Sequence, residues 1–228
     1  MFSNMLIGKN ARKRAFIRPS FKGCVVVQGP TYPQWITKVK ESWVGYQIIF
    51  STWEEQADKS LYDETDIVIY NPMPACAGVK NFNLQKVSTI NGFLKAKELG
   101  WDRALKVRGD FSTTSADGLF ELFDKTKLNL HGYWKYGHIA NGYISDFFME
   151  GKIGDVITLF ETDEVDLQFP EWHITKKLYE SGLNKKSNCI VKKMSKGVSD
   201  IYWEKLSYWF SDHNSNGDVT DVLPEKWG

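Results

Sequence analysis

Four short runs that are interpreted as strands constrain the fold most strongly, because turn-forming or polar residues bound each of them. They span 23–28, 46–51, 66–70 and 104–108. Segments with helical spacing separate them, most clearly at 83–99, where Asn83 is a suitable N-cap and Gly100 a suitable stop. Strands that alternate with helices predict an α/β fold with a mostly parallel, Rossmann-like sheet flanked by helices.

Composition favours one sizeable domain, since 228 residues with 42% apolar content can bury a core. The three cysteines are widely spaced and form no CxxC pair, so a zinc knot is not expected. Their odd number fits a reducing compartment and predicts a cytoplasmic protein, with the cytoplasmic face of a membrane as an alternative setting. No apolar run reaches the roughly 18–20 residues of a membrane span.

Charge is uneven along the chain, because eight Lys and Arg residues precede the first acidic residue, Glu41. We expect a basic arm at 1–22, a domain at 23–210 and a polar tail at 211–228. The arm is interpreted first as a solvated terminus; contact with anionic lipid or a phosphorylated acceptor and a targeting peptide are alternatives. The net charge of +1 gives no case for a nucleic-acid partner.

Polar or turn residues follow each predicted strand. Because parallel strands present their carboxyl ends at one edge, four loops should converge there and bind a ligand. The segments concerned are Gly29-Pro30, Ser51-Thr52, Asn71-Pro72 and Arg108-Gly109-Asp110. Asp110 could supply one oxygen ligand to Mg²⁺ or Mn²⁺, and Arg108 could bind a diphosphate. A structural Arg–Asp pair that closes the strand end is equally compatible with this spacing.

Asn91 lies on the same helical stripe as Leu84, Val87 and Leu94. A buried amide needs hydrogen-bond partners, which would be either strand-end backbone, a structural role, or a ligand.

Glu171 lies in the first turn of a helix predicted at 170–181. The helix dipole stabilises a carboxylate there without any function; the functional alternative is a general base. Glu164 and Asp166 compete for that role, and so does Asp146, beside an aromatic-rich segment at 129–145 that is interpreted as irregular strands or loops. The four histidines show no metal-ligand spacing.

An ordered set of segments resembles the WavE-type lipopolysaccharide-synthesis proteins across residues 23–182. The matching segments are 25–33, 48–54, 83–92, 105–111, 144–152 and 169–171. Such proteins are similar to GT-A glycosyltransferases, so the resemblance implies a GT-A-like domain that uses a UDP- or GDP-sugar with Mn²⁺ or Mg²⁺.

The resemblance also implies roles for individual residues. Asp110 would bind the metal, with His213 as a second candidate ligand, and Glu171 would be the base of an inverting enzyme. Arg108 stands where the first Asp of the Asp-x-Asp motif is usual. The donor nucleotide would be held by Gln28, Gly29, Pro30, Thr31, Ser51, Thr52, Trp53, Glu54, Gln85, Asn91, Arg108 and Gly109.

The leading hypothesis is therefore transfer of a sugar to a glycan or glycolipid acceptor hydroxyl, with the aromatic residues of 133–143 holding the acceptor. A non-catalytic nucleotide- or sugar-binding module on the same scaffold is the alternative, motivated by Arg108. A nucleic-acid-binding basic arm is a third and weaker interpretation.

Overall fold

The computed structural model describes residues 20–55, 57–109, 113, 116–135, 138–162, 170–192 and 214–217. They form one sheet in the order β3-β2-β1-β4-β6-β5-β7-β8. The strands are β1 (Cys24–Gln28), β2 (Gln47–Trp53), β3 (Ile67–Asn71), β4 (Arg103–Arg108), β5 (Leu128–Lys135), β6 (His138–Lys152), β7 (Ser187–Lys192) and β8 (Asn214–Gly217). The α-helices are α1 (Pro33–Ser42), α2 (Phe82–Glu98), α3 (Ala116–Glu121), α4 (Ile153–Phe160) and α5 (Pro170–Glu180).

The first half of the sheet is parallel throughout, with β1 at its centre between β2 and β4. In the described residues four of the seven strand pairings are parallel, and β6 enters antiparallel to β4. The predicted α/β fold with a mostly parallel sheet is therefore confirmed. No helix in the described ranges is long and apolar enough to cross a membrane.

Helices cover both faces of the sheet and divide the core into two layers. On one face α2, α4 and α5 pack over alternate strand residues such as Val26 and Ile49. On the other face α1 and α3 pack over Val27, Phe50 and Val107. Because strand side chains alternate, residue parity decides which layer a strand residue joins.

A long antiparallel pair, β5 and β6, replaces the irregular segment expected at 129–145. The pairing shifts register between Leu130 and Gly132 and again between Gly132 and Trp134. These irregularities explain why the sequence pattern does not alternate cleanly, although the backbone stays extended.

The start of α2 differs from the prediction. The N-cap is Asn81, in the left-handed conformation, and Asn83 lies inside the first turn, where its Nδ2 donates to the Cys76 carbonyl at 3.2 Å. The predicted stop is confirmed: Gly100 has a φ of +81°, and its N–H donates to the Lys97 carbonyl.

Residues 1–19 of the basic arm expected at 1–22 lie outside the described residues. Strand β8 falls within the segment expected to be a polar tail and pairs antiparallel with β7.

Candidate active site

The strand order reverses at the boundary between β1 and β4. After β1 the chain adds β2 and β3 on one side of β1, and it then adds β4 on the other side. Open α/β sheets bind ligands beyond the strand ends at such a point. Gly109 follows β4 there, and its N–H donates a 2.6 Å hydrogen bond to the Gln28 carbonyl at the end of β1. A Cβ atom at residue 109 would lie 2.5 Å from the Pro30 carbonyl oxygen. This close approach requires glycine, and it brings the two loops into backbone contact.

Arg108 ends β4 beside Gln28 in the β1–β4 register. Its Nη1 lies 3.7 Å from Asp146 Oδ2 on β6, and its guanidinium carbon lies 4.9 Å from the centre of the Phe147 ring. One quarter of the Arg108 side chain stays exposed. The structure thus gives Arg108 an acidic neighbour that sequence spacing does not suggest.

Asp146 is almost fully buried, and both its side chain and its backbone carbonyl contact basic residues of β4. Lys106, two residues before Arg108 on the same face of β4, is fully buried and donates from Nζ to the Asp146 backbone carbonyl. The same Nζ lies 5.9 Å from the centre of the Phe160 ring. A buried ammonium group needs such partners, so this contact ties Asp146 to β4.

Glu171 contributes a second carboxyl group from the first turn of α5. Burial raises the pKa of Glu171, and the Asp146 carboxylate nearby raises it further; the backbone N–H of Glu171 and the charges of Lys80 and Arg108 act in the opposite direction. A carboxyl group whose pKa is raised above its ordinary range is suited to accept a proton in a reaction near neutral pH.

Thr175 fixes where α5 begins relative to β6. Its hydroxyl donates to the Glu171 carbonyl at 2.6 Å and accepts the N–H of Ile144 at 2.9 Å. This buried bridge keeps Glu171 and the Asp146 region of β6 together. The structure therefore brings three predicted site residues to one place: Arg108, Asp146 and Glu171.

Lys80 adds a second cation from the 3₁₀ turn Val79–Asn81, which packs against α5. Among the described non-glycine residues only Lys80 and Asn81 have positive φ values, +49° and +63°. A left-handed backbone costs a non-glycine residue about 1–2 kcal/mol. The turn therefore keeps a strained conformation at the edge of the candidate site.

Asn91 on α2 takes part in a chain of hydrogen bonds with residues at the carboxyl ends of β2 and β3. Its Nδ2 donates to Asn71 Oδ1 at 2.7 Å, and Asn71 Nδ2 donates to Ser51 Oγ at 2.9 Å and to the Thr52 carbonyl at 2.8 Å. The hydrogen bond of Asn91 thus goes to a side chain at a strand end, and not to the strand-end backbone that the structural alternative named. Its assignment as a donor-binding residue stays a prediction.

Asn91 was predicted to share a buried stripe of α2 with Leu84, Val87 and Leu94. This stripe is not the buried face of the helix, because Leu94 is 48% exposed. Phe93 and Ala96 are fully buried instead, beside Gly92, whose Cα approaches Val26 and Ser51 on the sheet. The expected stripe was wrong because α2 approaches the sheet through small residues rather than through its leucines.

The loops expected to hold a nucleoside contain several buried oxygens. The hydroxyls of Thr31, Thr52 and Tyr62 lie close together: burial raises the pKa of Tyr62, and both threonine hydroxyls oppose that shift. In the described part of the chain none of these three oxygens, nor Gln28 Oε1, has a partner in full hydrogen-bond geometry.

The remaining predicted donor residues differ in accessibility. Ser51, Thr52 and Trp53 are buried, whereas Glu54 is exposed, and Gln85 is partly buried with its Oε1 unpartnered within the described ranges. Their roles in donor binding stay predictions.

Asp110, Asp166 and His213, together with Glu164, lie outside the described residues. Within the described residues, no group of three or more His, Cys, Asp or Glu side chains could hold a metal ion. The prediction of Mn²⁺ or Mg²⁺ at Asp110 is therefore neither supported nor opposed by the described geometry.

Sequence reasoning gave no role to Lys80, Lys106 or Tyr62. Lys106 carried a usable signal, since a lysine among the apolar residues in the centre of a strand needs a buried partner. Lys80 carried none, because a strained backbone conformation leaves no mark in composition or periodicity.

Comparison with known proteins gives distant structural likenesses. No protein-family model matches the sequence, and no curated protein matches it. A protein from Desulfovibrio desulfuricans G20 assigned as a nucleotide-diphospho-sugar transferase is 10% identical, with a TM-score of 0.47 over 75% of this chain and 80% of that one. The apo form of the glycosyltransferase GlyE from Streptococcus pneumoniae TIGR4 is 11% identical, with a TM-score of 0.43 over 71% of this chain. This chain spans 44% of GlyE, and neither likeness is close enough to bear on function.

Proposed function

We propose that this chain is a nucleotide-sugar-dependent glycosyltransferase of the GT-A type. The observation that carries the proposal is the position of Glu171, whose pKa is raised, beside Asp146 and Arg108 at the β1–β4 boundary. The ordered resemblance to WavE-type proteins supports the same class of activity. The glycan or glycolipid acceptor, the cytoplasmic location and membrane contact through the basic arm belong to this proposal.

In the proposed reaction, Glu171 takes the proton of an acceptor hydroxyl as its oxygen attacks the anomeric carbon of the donor sugar. A carbon–oxygen bond to the acceptor forms while the bond from the same carbon to the phosphate oxygen breaks. The leaving nucleoside diphosphate carries the negative charge, which the guanidinium of Arg108 stabilises through paired hydrogen bonds. Attack opposite the leaving group inverts the anomeric configuration.

A divalent cation at Asp110 would add Lewis-acid stabilisation of the diphosphate. Because Asp110 lies outside the described residues, no step above depends on that cation.

The test is transfer from a panel of UDP- and GDP-sugars to glycan acceptors, with release of nucleoside diphosphate as the readout. We expect Glu171→Gln to lower kcat by about 10²–10⁴-fold, the usual contribution of a general base. Glu180→Gln, at the exposed far end of the same helix, is the matched control and should leave kcat unchanged.

Three results would count against the proposal. Full activity in Glu171→Gln would remove the assigned base, and retention of the donor's anomeric configuration, read by NMR, would exclude the single inversion. Nucleotide binding without transfer to any acceptor would favour a non-catalytic binding module.

A further inference from the structure

Strand β6 carries extra residues at Asp146, where it cannot pair regularly with its neighbours. In the described β5–β6 register, β5 advances by two residues over a stretch in which β6 advances by five. The pairs that bracket this stretch are Leu130 with Met149 and Gly132 with Ile144. The described pairing of β6 with β4 ends at Phe148. Residues 145–147 therefore form a bulge, the β6 bulge, with no partner residue on β4 or β5 in these registers.

Side chains bond the backbone of the β6 bulge where ladder partners are missing. The Phe147 N–H donates to Ser145 Oγ at 3.2 Å, within the bulge. The Asp146 carbonyl accepts from Lys106 Nζ on β4. Ser145, Asp146 and Lys106 are all buried. Because a buried carbonyl needs a hydrogen-bond partner, the bond from Lys106 stabilises the bulge in this conformation.

Two consecutive side chains of the bulge contact one guanidinium group. Asp146 Oδ2 lies 3.7 Å from Arg108 Nη1, and the centre of the Phe147 ring lies 4.9 Å from the Arg108 guanidinium carbon. Successive side chains of a regular strand point to opposite faces of the sheet, so a regular β6 would present only one of these two residues to Arg108. The bulge makes both contacts possible.

Lys106 is too deeply buried to act on a ligand directly. Its side chain is fully buried, and Nζ lies 5.9 Å from the centre of the Phe160 ring on α4. A buried charged group is often no more stabilising than an apolar side chain of similar volume. Packing alone therefore does not explain a lysine at this position, whereas its bond to the bulge does.

We propose that Lys106 is a positioning residue for the transfer reaction: it holds the β6 bulge through the Asp146 carbonyl, and the bulge orients the Arg108 guanidinium through Asp146 and Phe147. This inference rests on the proposed function for the role of Arg108 in stabilising the leaving diphosphate. Its structural part, the hold of Lys106 on the bulge, does not depend on the reaction and is measured separately.

Amide hydrogen exchange on the full chain tests the structural part, because it reads local opening residue by residue. Lys106→Met keeps a long side chain and removes the donor. It should speed exchange of the Phe147 amide by about 10–100-fold, as expected for loss of a hydrogen bond to a charged group. The amides of Glu150 and Gly151, which pair with β4, should keep their rates. Lys152→Met is the matched control, since it makes the same substitution at an exposed residue of β6.

Steady-state kinetics test the catalytic part. Lys106→Met should lower kcat by about tenfold or more, which is less than the 10²–10³-fold loss typical of removing a transition-state donor outright. It should leave the KM for the acceptor unchanged. In an Arg108→Gln background the same substitution should have little further effect, because residues that act through one network are not additive. Lys152→Met should leave kcat unchanged in both backgrounds.

Two results would overturn the role of Lys106. One is an unchanged exchange rate at Phe147 in Lys106→Met, or an equal acceleration at every amide of the sheet, which a general loss of stability would produce. The other is a loss of kcat that is the same with and without Arg108, because the effect would then not pass through the guanidinium.

A measurement on the wild-type chain decides the matter if Lys106→Met does not fold. The ¹⁵N signal of Lys106 Nζ, assigned by its loss in Lys106→Arg, should show a scalar coupling across the hydrogen bond to the Asp146 carbonyl carbon. Absence of this coupling would overturn the inference. If the wild-type chain transfers no sugar from any donor, the proposed function is wrong, and the exchange and coupling measurements still decide whether Lys106 holds the bulge.

Discussion

At the scale of single residues, Glu171 lies where burial and a neighbouring carboxylate oppose its charge and two cations support it. The net effect is a raised pKa, which means that the fold favours the neutral carboxyl over the ionised one. Such a group stabilises the folded state fully at pH values below its ordinary pKa, and this contribution is lost as the pH rises through the raised value. The folded protein therefore bears a cost at neutral pH for keeping Glu171 ionised.

This cost predicts a pH-dependent gain in stability for Glu171→Gln. At pH 7 the variant should have a higher free energy of unfolding than the wild type, because glutamine carries no charge to desolvate. Below about pH 4, where a glutamate is protonated in the unfolded chain as well, the difference should disappear. Urea unfolding at several pH values measures it, and a variant that is less stable than wild type at pH 7 would contradict the burial argument.

Asp146→Asn tests which of the two carboxyl groups accepts the proton. Asp146 raises the pKa of Glu171, so its removal should move the acid limb of kcat/KM to lower pH while activity on the plateau is largely kept. If Asp146 is the base instead, activity should fall by about 10²–10⁴-fold throughout the pH range. The pH–rate profile of the variant distinguishes these two cases.

At the scale of elements, α2 rests on the sheet through a residue that has no side chain. A Cβ at Gly92 would lie 2.3 Å from Val26 Cγ1, in the middle of β1. The helix can therefore lie close to the sheet, which places the nearby amide of Asn91 within reach of Asn71.

Gly92→Ala should destabilise the fold by about 1–3 kcal/mol, since the added methyl group would overpack a rigid interface. Gly154→Ala in α4 is the matched control: nothing lies within 4 Å of its Cβ position, and alanine in a helix should be neutral or stabilise by up to about 1 kcal/mol. Thermal and chemical unfolding of the two variants tests this difference, and equal stabilities would show that α2 can move away from the sheet.

Element positions were largely readable from the sequence, and contacts were not. The four short runs predicted the strands β1 to β4 of the parallel half of the sheet, and Gly100 predicted the end of α2, because both signals are local. The buried face of α2 was not readable, since it depends on the approach at Gly92 rather than on apolar spacing. Arg108 and Glu171 were identified from strand-end and helix-start positions, whereas Lys80 required the φ angles and packing of a loop.

At the scale of the whole molecule, a buried polar network joins the parallel half of the sheet to the mixed half. Arg103 on β4 donates to both carboxylate oxygens of Glu150 on β6, at 2.9 and 2.7 Å. Asn129 on β5 donates to Glu150 at 2.6 Å, and Asn188 on β7 donates to Asn129 at 3.2 Å. Four adjacent strands are therefore linked by side chains as well as by backbone hydrogen bonds.

Glu150→Gln should cost about 3 kcal/mol, because it leaves the Arg103 charge unpaired in a largely buried place. Lys95→Ala, which breaks the exposed pair with Glu98, is the comparison and should cost less than about 1 kcal/mol. Denaturant unfolding gives both values. A loss below 1 kcal/mol in Glu150→Gln would mean that the backbone pairing alone holds the two halves together.

The contact of Gly109 with Gln28 and Pro30 couples the loop after β4 to the loop after β1. With its N–H bonded to the Gln28 carbonyl and no space for a Cβ atom against Pro30, the end of β4 cannot shift without carrying the end of β1. If the proposed donor binds at this edge, the two loops should respond to it together, and we expect a ligand on one loop to change the affinity of the other loop for a second ligand.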